Sequence, residues 1–241
     1  MKITIFPDER STDIYVAWHI IRQMLNKPES IIGLSTGETT LGIHSTVAEI
    51  YSKYKFKTSG VRIFGVDEII MIPPSEFTCG QKILNQFIMP LNIPKSNLIM
   101  PATLADDYDK ESSMFEAKLL ERGNIDLQIL GLGEDGHIGM NLPNSSFEST
   151  TRVVTLSGPL KERLEKLLSM PKDHNFFGIT LGIKTIMNVN KIVLVAKGKK
   201  KSKIVKQSLF GPVTNSVPAS VLQLHPDCEF VLDADAACEL T

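Results

Sequence analysis

Cysteine is scarce in this chain: Cys79, Cys228 and Cys238 are its only three, and none forms a CxxC pair. A disulfide framework or a thiolate metal site is therefore not expected. The five histidines, His19, His44, His137, His174 and His225, show no HExxH or comparable spacing, so no bound metal is expected either. Basic excess is also missing. The 26 Lys and Arg face 27 Asp and Glu, a net charge of -1, which provides no overall field for nucleic acid. No apolar run reaches the length of a membrane span, and the opening Met-Lys leads into a strand-like run rather than a signal peptide. The expectation is no nucleic-acid partner, no membrane contact and a cytoplasmic location.

What is present is an alternation of short apolar runs and helical patterns. Strand-like runs stand at Lys2 to Phe6, Ser30 to Leu34, Val61 to Val66, Leu98 to Met100, Ile125 to Leu130, Ile192 to Ala196 and Cys228 to Leu232. Arg152 to Leu156 and Phe177 to Leu181 also read as extended. Between them lie amphipathic stretches. One runs from Ser11 to Leu25 with Ile14, Ala17, Ile20, Ile21, Met24 and Leu25 at helical spacing, and Trp18 is read as packing. Another carries Leu41, Val47, Ala48, Ile50, Tyr51 and Tyr54. Further helices are expected around Ile83 to Ile88, Asp106 to Arg122, Pro159 to Leu168, after Gly198 and at Pro218 to Leu224. Strands alternating with helices predict an α/β fold, a mostly parallel sheet covered on both faces and joined by right-handed crossovers. No linker divides the chain, so 1–241 is expected to form one domain.

Three segments carry chemistry. The first, Gly131 to Pro143, reads GLGEDGHIGMNLP directly after a buried strand, and its glycines allow the sharp turn that delivers Asp135 and His137. In an open α/β sheet ligands bind outside the carboxyl ends of the strands, so both side chains either face a ligand there or belong to a hydrogen-bonded turn. The second is Ser35-Thr36-Gly37-Glu38-Thr39-Thr40, between a strand and a helix. Strand, small polar loop and helix form either a phosphate cradle or a threonine-rich helix cap. The third holds five lysines between Lys197 and Lys203. They form either a solvated helix start or a cluster that needs an anion, because cations at a helix N-terminus oppose its dipole. Asp67 and Glu68 end the third strand, and neighbouring strand residues point to opposite faces, so only one of them can share a cleft with His137.

The strings LSTGETT, GVDE, DLQILGLGEDGHIGMNLP, ITLGIKTIMN and VPASVLQLHP, in this order and spacing, resemble the glucosamine-6-phosphate deaminase family with its galactosamine-6-phosphate isomerase branch. The resemblance covers nearly the whole chain. It implies a Rossmann-like fold and conversion of an amino-sugar 6-phosphate to a ketose 6-phosphate plus ammonia, without a cofactor. By the same resemblance Asp67 matches the base that moves a proton from C2 to C1, His137 the residue that helps open the sugar ring, and Asp135 the carboxylate beside it. An ionised carboxylate suits the first task and an imidazole titrating near neutrality the second. The phosphate is expected on Ser35, Thr36, Gly37 and Thr39, with Lys201 as the phosphate lysine and Lys166 or Arg163 as a further cation. Relatives range from monomers to hexamers, so self-association as a homo-oligomer stays open.

Two departures bear on this expectation. Glu38 stands where the family commonly has Gly, and its charge is expected to point away from a bound phosphate. Leu142 stands where typical deaminases have a Glu that completes an Asp-His-Glu relay. Three readings follow. Glu134, Asp135 or Glu148 orients His137 instead; or the relay is not needed, as in a 6-phosphogluconolactonase-type hydrolase; or the protein binds sugar phosphate with little turnover. Ile69, where the lactonases tend to have Arg, and the deaminase-like strings favour deaminase or isomerase chemistry on glucosamine or galactosamine 6-phosphate. His225 is expected to be structural.

Overall fold

Residues 192–196 show how the sheet is made. In this strand Ile192, Leu194 and Ala196 pack into one apolar cluster and Val193 and Val195 into another, so both faces are covered. Each such fully buried Val, Leu or Ile side chain contributes about 1.5–3 kcal/mol of transfer free energy. The structure, a computed structural model, describes residues 1–169, 171 and 174–240. The chain begins with β1 (Lys2–Phe6), α1 (Glu9–Asn26), β2 (Ile31–Leu34), α2 (Glu38–Lys53), β3 (Arg62–Gly65) and β4 (Asp67–Ile70). Next come α3 (Cys79–Ile83), which runs into a π-helical turn at Leu84–Ile88, then β5 (Leu98–Ile99), α4 (Tyr108–Arg122) and β6 (Leu127–Gly131). The last part holds β7 (Arg152–Thr155), α5 (Gly158–Leu168), β8 (Phe177–Thr180), α6 (Ile183–Met187), β9 (Ile192–Ala196), α7 (Ser202–Phe210) and β10 (Cys228–Asp233).

Seven strands form one sheet in the order β1-β10-β9-β6-β2-β3-β5, and every pairing in it is parallel. The expected α/β architecture with helices on both faces is therefore present. From β2 the chain steps outward to β3 and β5; from β6 it steps the other way, to β9 and β10. The seam between β2 and β6 is thus the topological switch point, where the loops leaving two neighbouring strands diverge and leave a crevice.

A second, three-stranded antiparallel sheet, β4-β8-β7, stands beside the first. Asp67 and Glu68 do follow the third strand of the main sheet, but they are also the first two residues of β4. Leu181 N donates to Val66 O at 2.8 Å, tying the two sheets together at that corner.

Several packing expectations need correction. In α1, Ala17, Ile20, Ile21 and Met24 are buried, but Ile14, Trp18 and Leu25 are exposed. At roughly 100° per residue the packed face is centred on Val16, Ile20 and Met24, and those three side chains fall on its far side. Thr12 and Asp13 take the buried positions instead. Leu41 in α2 and Tyr54 at its C-cap are likewise exposed. Pro218–Leu224 is helical as expected, in 3-10 form, and its Ala219 N–H, free of an intrahelical partner, donates to Gly136 O at 2.9 Å. His225 is structural, as expected: buried, it donates from Nε2 to Val189 O at 3.0 Å and accepts at Nδ1 from Asp227 N at 3.1 Å.

Candidate functional site

Four adjacent strands of the sheet, β9, β6, β2 and β3, deliver the chemistry-bearing segments to one rim. The loops following β2 and β6 flank the switch point, Asp67 follows β3, and Lys197 to Lys201 follow β9. Together they line a cavity of about 730 Å³. Thr36, Asp67, His137 and Lys201, far apart in sequence, all border it.

The glycine turn builds the imidazole side of the cavity. Gly133 N donates to His137 O at 2.9 Å and Gly136 N to Gly133 O at 3.1 Å, with Gly136 in the left-handed region at φ 86°. The His137 ring lies against Gly133, where any Cβ would collide with Nδ1. Asn141 pins the far end of the turn, donating to Ile138 O at 3.0 Å and Leu181 O at 2.8 Å. Its role is to hold the loop, since its amide is wholly buried in these bonds.

Asp135 orients His137. Its Oδ1 lies 2.6 Å from His137 Nδ1 and accepts the His137 backbone N–H at 3.1 Å. Burial alone would raise the Asp135 carboxyl, but the hydrogen bond and charge contact with His137 outweigh it and hold it below the ordinary range. Nε2 is left to face the cavity. Of the other carboxylates considered for this duty, Glu148 is engaged with Lys184 at 2.8 Å, and Glu134 lines the cavity mouth.

Opposite the imidazole stands Asp67, buried, with burial pushing its carboxyl up to about 6 against the pull of the Cys79 thiol, His137 and Lys82. Glu68 turns to the other face, as strand alternation requires. Its carboxylate accepts from Ile69 N at 2.8 Å, Cys79 N at 2.7 Å and Gly80 N at 2.7 Å.

The remaining wall is suited to an anion. Gly37 caps α2 without any side-chain hydrogen bond, unlike Asp8 and Asp107, which cap α1 and α4 through their carboxylates. The first-turn N–H groups of α2 therefore face the cavity with no capping side chain. Ser35, Thr36, Gly37 and Thr39 border it, and so does Lys201, whose ammonium burial pushes down while Glu134, Asp135 and Glu38 pull it up. Lys197 is already neutralised, 2.9 Å from Asp13 and 3.7 Å from Glu9.

Arg163 and Lys166 differ in helical register. Arg163 lines the cavity; Lys166 does not, and instead borders a shallower hollow on the outer side of α5. Lys166, three positions on, shares that hollow with Glu38, Arg163 and Leu167 and lies off the main cavity. Glu38, expected to point away from the phosphate loop, is largely exposed but borders the same cavity, reaching across to Arg163 at 3.2 Å. Cys79 and Lys82, which sequence reasoning did not single out, also line the cavity. Nothing local marks them; only the return of α3 against β4 brings them in. Among the described residues no group of three or more His, Cys, Asp or Glu is close enough to hold a metal ion, and no helix is long and apolar enough to cross a membrane.

An open parallel sheet with a carboxylate, an oriented imidazole and an uncapped, cation-lined helix start at its switch point defines an α/β protein with a site suited to a small anion. The chain belongs to the family of glucosamine-6-phosphate isomerases and 6-phosphogluconolactonases, whose model matches residues 15–230. That is a family of enzymes. The chain is 35% identical to a glucosamine-6-phosphate deaminase of Clostridium botulinum (strain Langeland) over 100% of its own length and 99% of the relative's. It is also 35% identical to one of Thermoanaerobacter pseudethanolicus, over 98% of this chain and 94% of that protein. Among solved structures it is similar to a monomeric glucosamine-6-phosphate deaminase, with a TM-score of 0.94 at 27% identity and 99% of each chain covered. The fold is shared with the 6-phosphogluconolactonase of Trypanosoma cruzi, with a TM-score of 0.81 at 20% identity over 100% of this chain and 97% of the other.

Proposed function

We propose that this chain is a hexosamine-6-phosphate deaminase that isomerises the sugar and releases ammonia. The observation that carries the reading is the placement of Asp67 and the Asp135-held His137 around one cavity whose third wall is the α2 start with Lys201 and Arg163. The phosphate sits on Ser35, Thr36, Gly37 and Thr39, with Lys201 and Arg163 as countercharges. That leaves the sugar's C1 and C2 near the carboxylate and the imidazole.

His137, oriented through Nδ1, exchanges a proton at the ring oxygen and C1 hydroxyl through Nε2 and so opens the ring. Asp67 then takes the proton from C2, giving an enolamine, and returns it to C1, giving a 2-imino sugar. Water adds to the C=N bond and ammonia leaves, so the net consumption is one water per ammonia released. Asp67 is well matched to this work: a carboxylate raised to about 6 is ionised at neutral pH yet more basic than an ordinary one. The family match and the meeting of both sheets at one site support reading 1–241 as a single domain. The Asp135 contact supports turnover over a binding-only role, since it supplies the orientation that Leu142 does not.

The test is to mix the protein with glucosamine 6-phosphate, galactosamine 6-phosphate or 6-phosphogluconolactone and follow ammonia and acid. Ammonia from a hexosamine phosphate is expected. Acid release from the lactone alone would replace the reading with hydrolysis, and saturable binding without turnover would replace it with a sensor.

A further inference from the structure

Asp67 is gripped on one side only. Cys79 Sγ donates to Asp67 Oδ1 at 3.5 Å, while Oδ2 lies on the side of the His137 turn, 3.5 Å from where a Cβ on Gly139 would stand. Cys79 is itself fixed from behind. Its backbone N–H and that of Gly80 both donate to the buried Glu68 carboxylate, at 2.7 Å each, so the residue next to Asp67 in β4 anchors the start of α3. We propose that Cys79 is a positioning residue for the base: its thiol, held by the Glu68-anchored start of α3, occupies Asp67 Oδ1 and leaves Oδ2 as the oxygen that moves the substrate proton.

Geometry and chemistry agree on the direction of the bond. Thiol burial, together with the neighbouring Asp67 and Glu68 charges, drives Cys79 well above its ordinary range against a hydrogen bond with the Thr36 side chain and the pull of Lys82, so the sulfur keeps its proton and acts as donor. A donor to an ionised carboxylate favours the charged form. The other charged groups acting on Asp67 are His137 from the glycine turn and Lys82 from α3, while Glu68 beside it in β4, raised to about 7 chiefly by burial, feels the Asp67 charge in turn. None of these is within the thiol's hydrogen bond, so replacing Cys79 isolates its share. Cys79 touches no reacting atom; it acts through Asp67, and the proposal rests on the reading of Asp67 as the base.

The test separates the two claims. In the full-length, ligand-free protein the Asp67 carboxyl is titrated directly by carbon-13 NMR in wild type, Cys79→Ser, Cys79→Ala and Cys79→Val. Valine fills the thiol's space without a donor and covers the case in which alanine destabilises the site. Loss of the donor in Cys79→Ala or Cys79→Val raises the Asp67 midpoint by roughly half to one pH unit. Cys79→Ser restores it to the wild-type side. The acidic limb of kcat/KM on glucosamine 6-phosphate moves with the midpoint, while KM at pH 8 stays put. Identical midpoints in wild type, Cys79→Ala and Cys79→Val would overturn the proposal, as would equal shifts for serine and alanine. If the wild-type protein releases no ammonia, the functional reading fails on its own, and the titration still decides the role of Cys79.

Discussion

Asp135 Oδ1 and His137 Nδ1 stand 2.6 Å apart, two residues from each other in a turn that packs the imidazole onto Gly133. The carboxylate that orients the ring is therefore local to the motif, two residues before it, whatever stands at 142. Asp135→Asn should lower kcat by about 10- to 10⁴-fold, the range seen when an orienting carboxylate is lost. Leu142→Glu should leave kcat within about threefold, under roughly 1 kcal/mol of barrier. Steady-state kinetics on both variants checks the pair; a large gain from Leu142→Glu would mean that Asp135 does not suffice.

Asp67 links activity to pH. Its folded-state pKa lies at about 6, raised by burial from 3.8, and the base must be ionised, so kcat/KM should be present above pH 6 and fall as pH drops through it. Stability runs the other way. A carboxyl raised on folding disfavours the folded state once it ionises, so this contribution is lost as pH rises from about 4 to beyond 6. Asp67→Asn should abolish turnover, spare phosphate binding and raise stability at pH 8 by up to about 3 kcal/mol, with little effect at pH 4. Urea unfolding at the two pH values provides the check.

The register of α5 separates two cations. Arg163→Ala should raise KM for a sugar phosphate about 10- to 100-fold, as expected for loss of a charge-assisted contact, whereas Lys166→Ala should leave it unchanged. Comparing KM for the two variants tests this assignment directly, and equal effects would argue that α5 turns differently when ligand is present.

Much of this arrangement was legible in the residues, and the remainder was hidden for physical reasons. Strand and loop patterns located the Ser35 loop, Asp67 and the glycine turn, because turn chemistry and apolar runs are local. The antiparallel partner of Asp67, Thr180 in β8, was not visible, since strand pairing depends on residues more than a hundred positions away. The outward Ile14, Trp18 and Leu25 show the same limit. Apolar identity suggests a face, but the buried Asp13, paired with Lys197 at 2.9 Å, helps decide which side of α1 turns inward. Arg163 and Lys166 differed only in helix phase, which the sequence leaves loose by a residue.

Gly133 offers a probe of imidazole placement without touching any ionisable group. Gly133→Ala puts a Cβ into the space of His137 Nδ1, and a displacement of that size costs about 100-fold or more in kcat. Substrate binding and the melting temperature should change far less. Near-normal kcat in this variant would remove His137 from its assigned position.

The most direct measurement of the central claim follows hydrogen at carbon. In heavy water, with hexosamine 6-phosphate as substrate, the wild-type protein should release ammonia and give ketose 6-phosphate carrying deuterium at C1 in part or all of the product. Asp67→Asn should give neither ammonia nor label. Labelled ketose formed by Asp67→Asn at the wild-type rate would contradict the assignment of Asp67 as the group that carries the proton from C2 to C1.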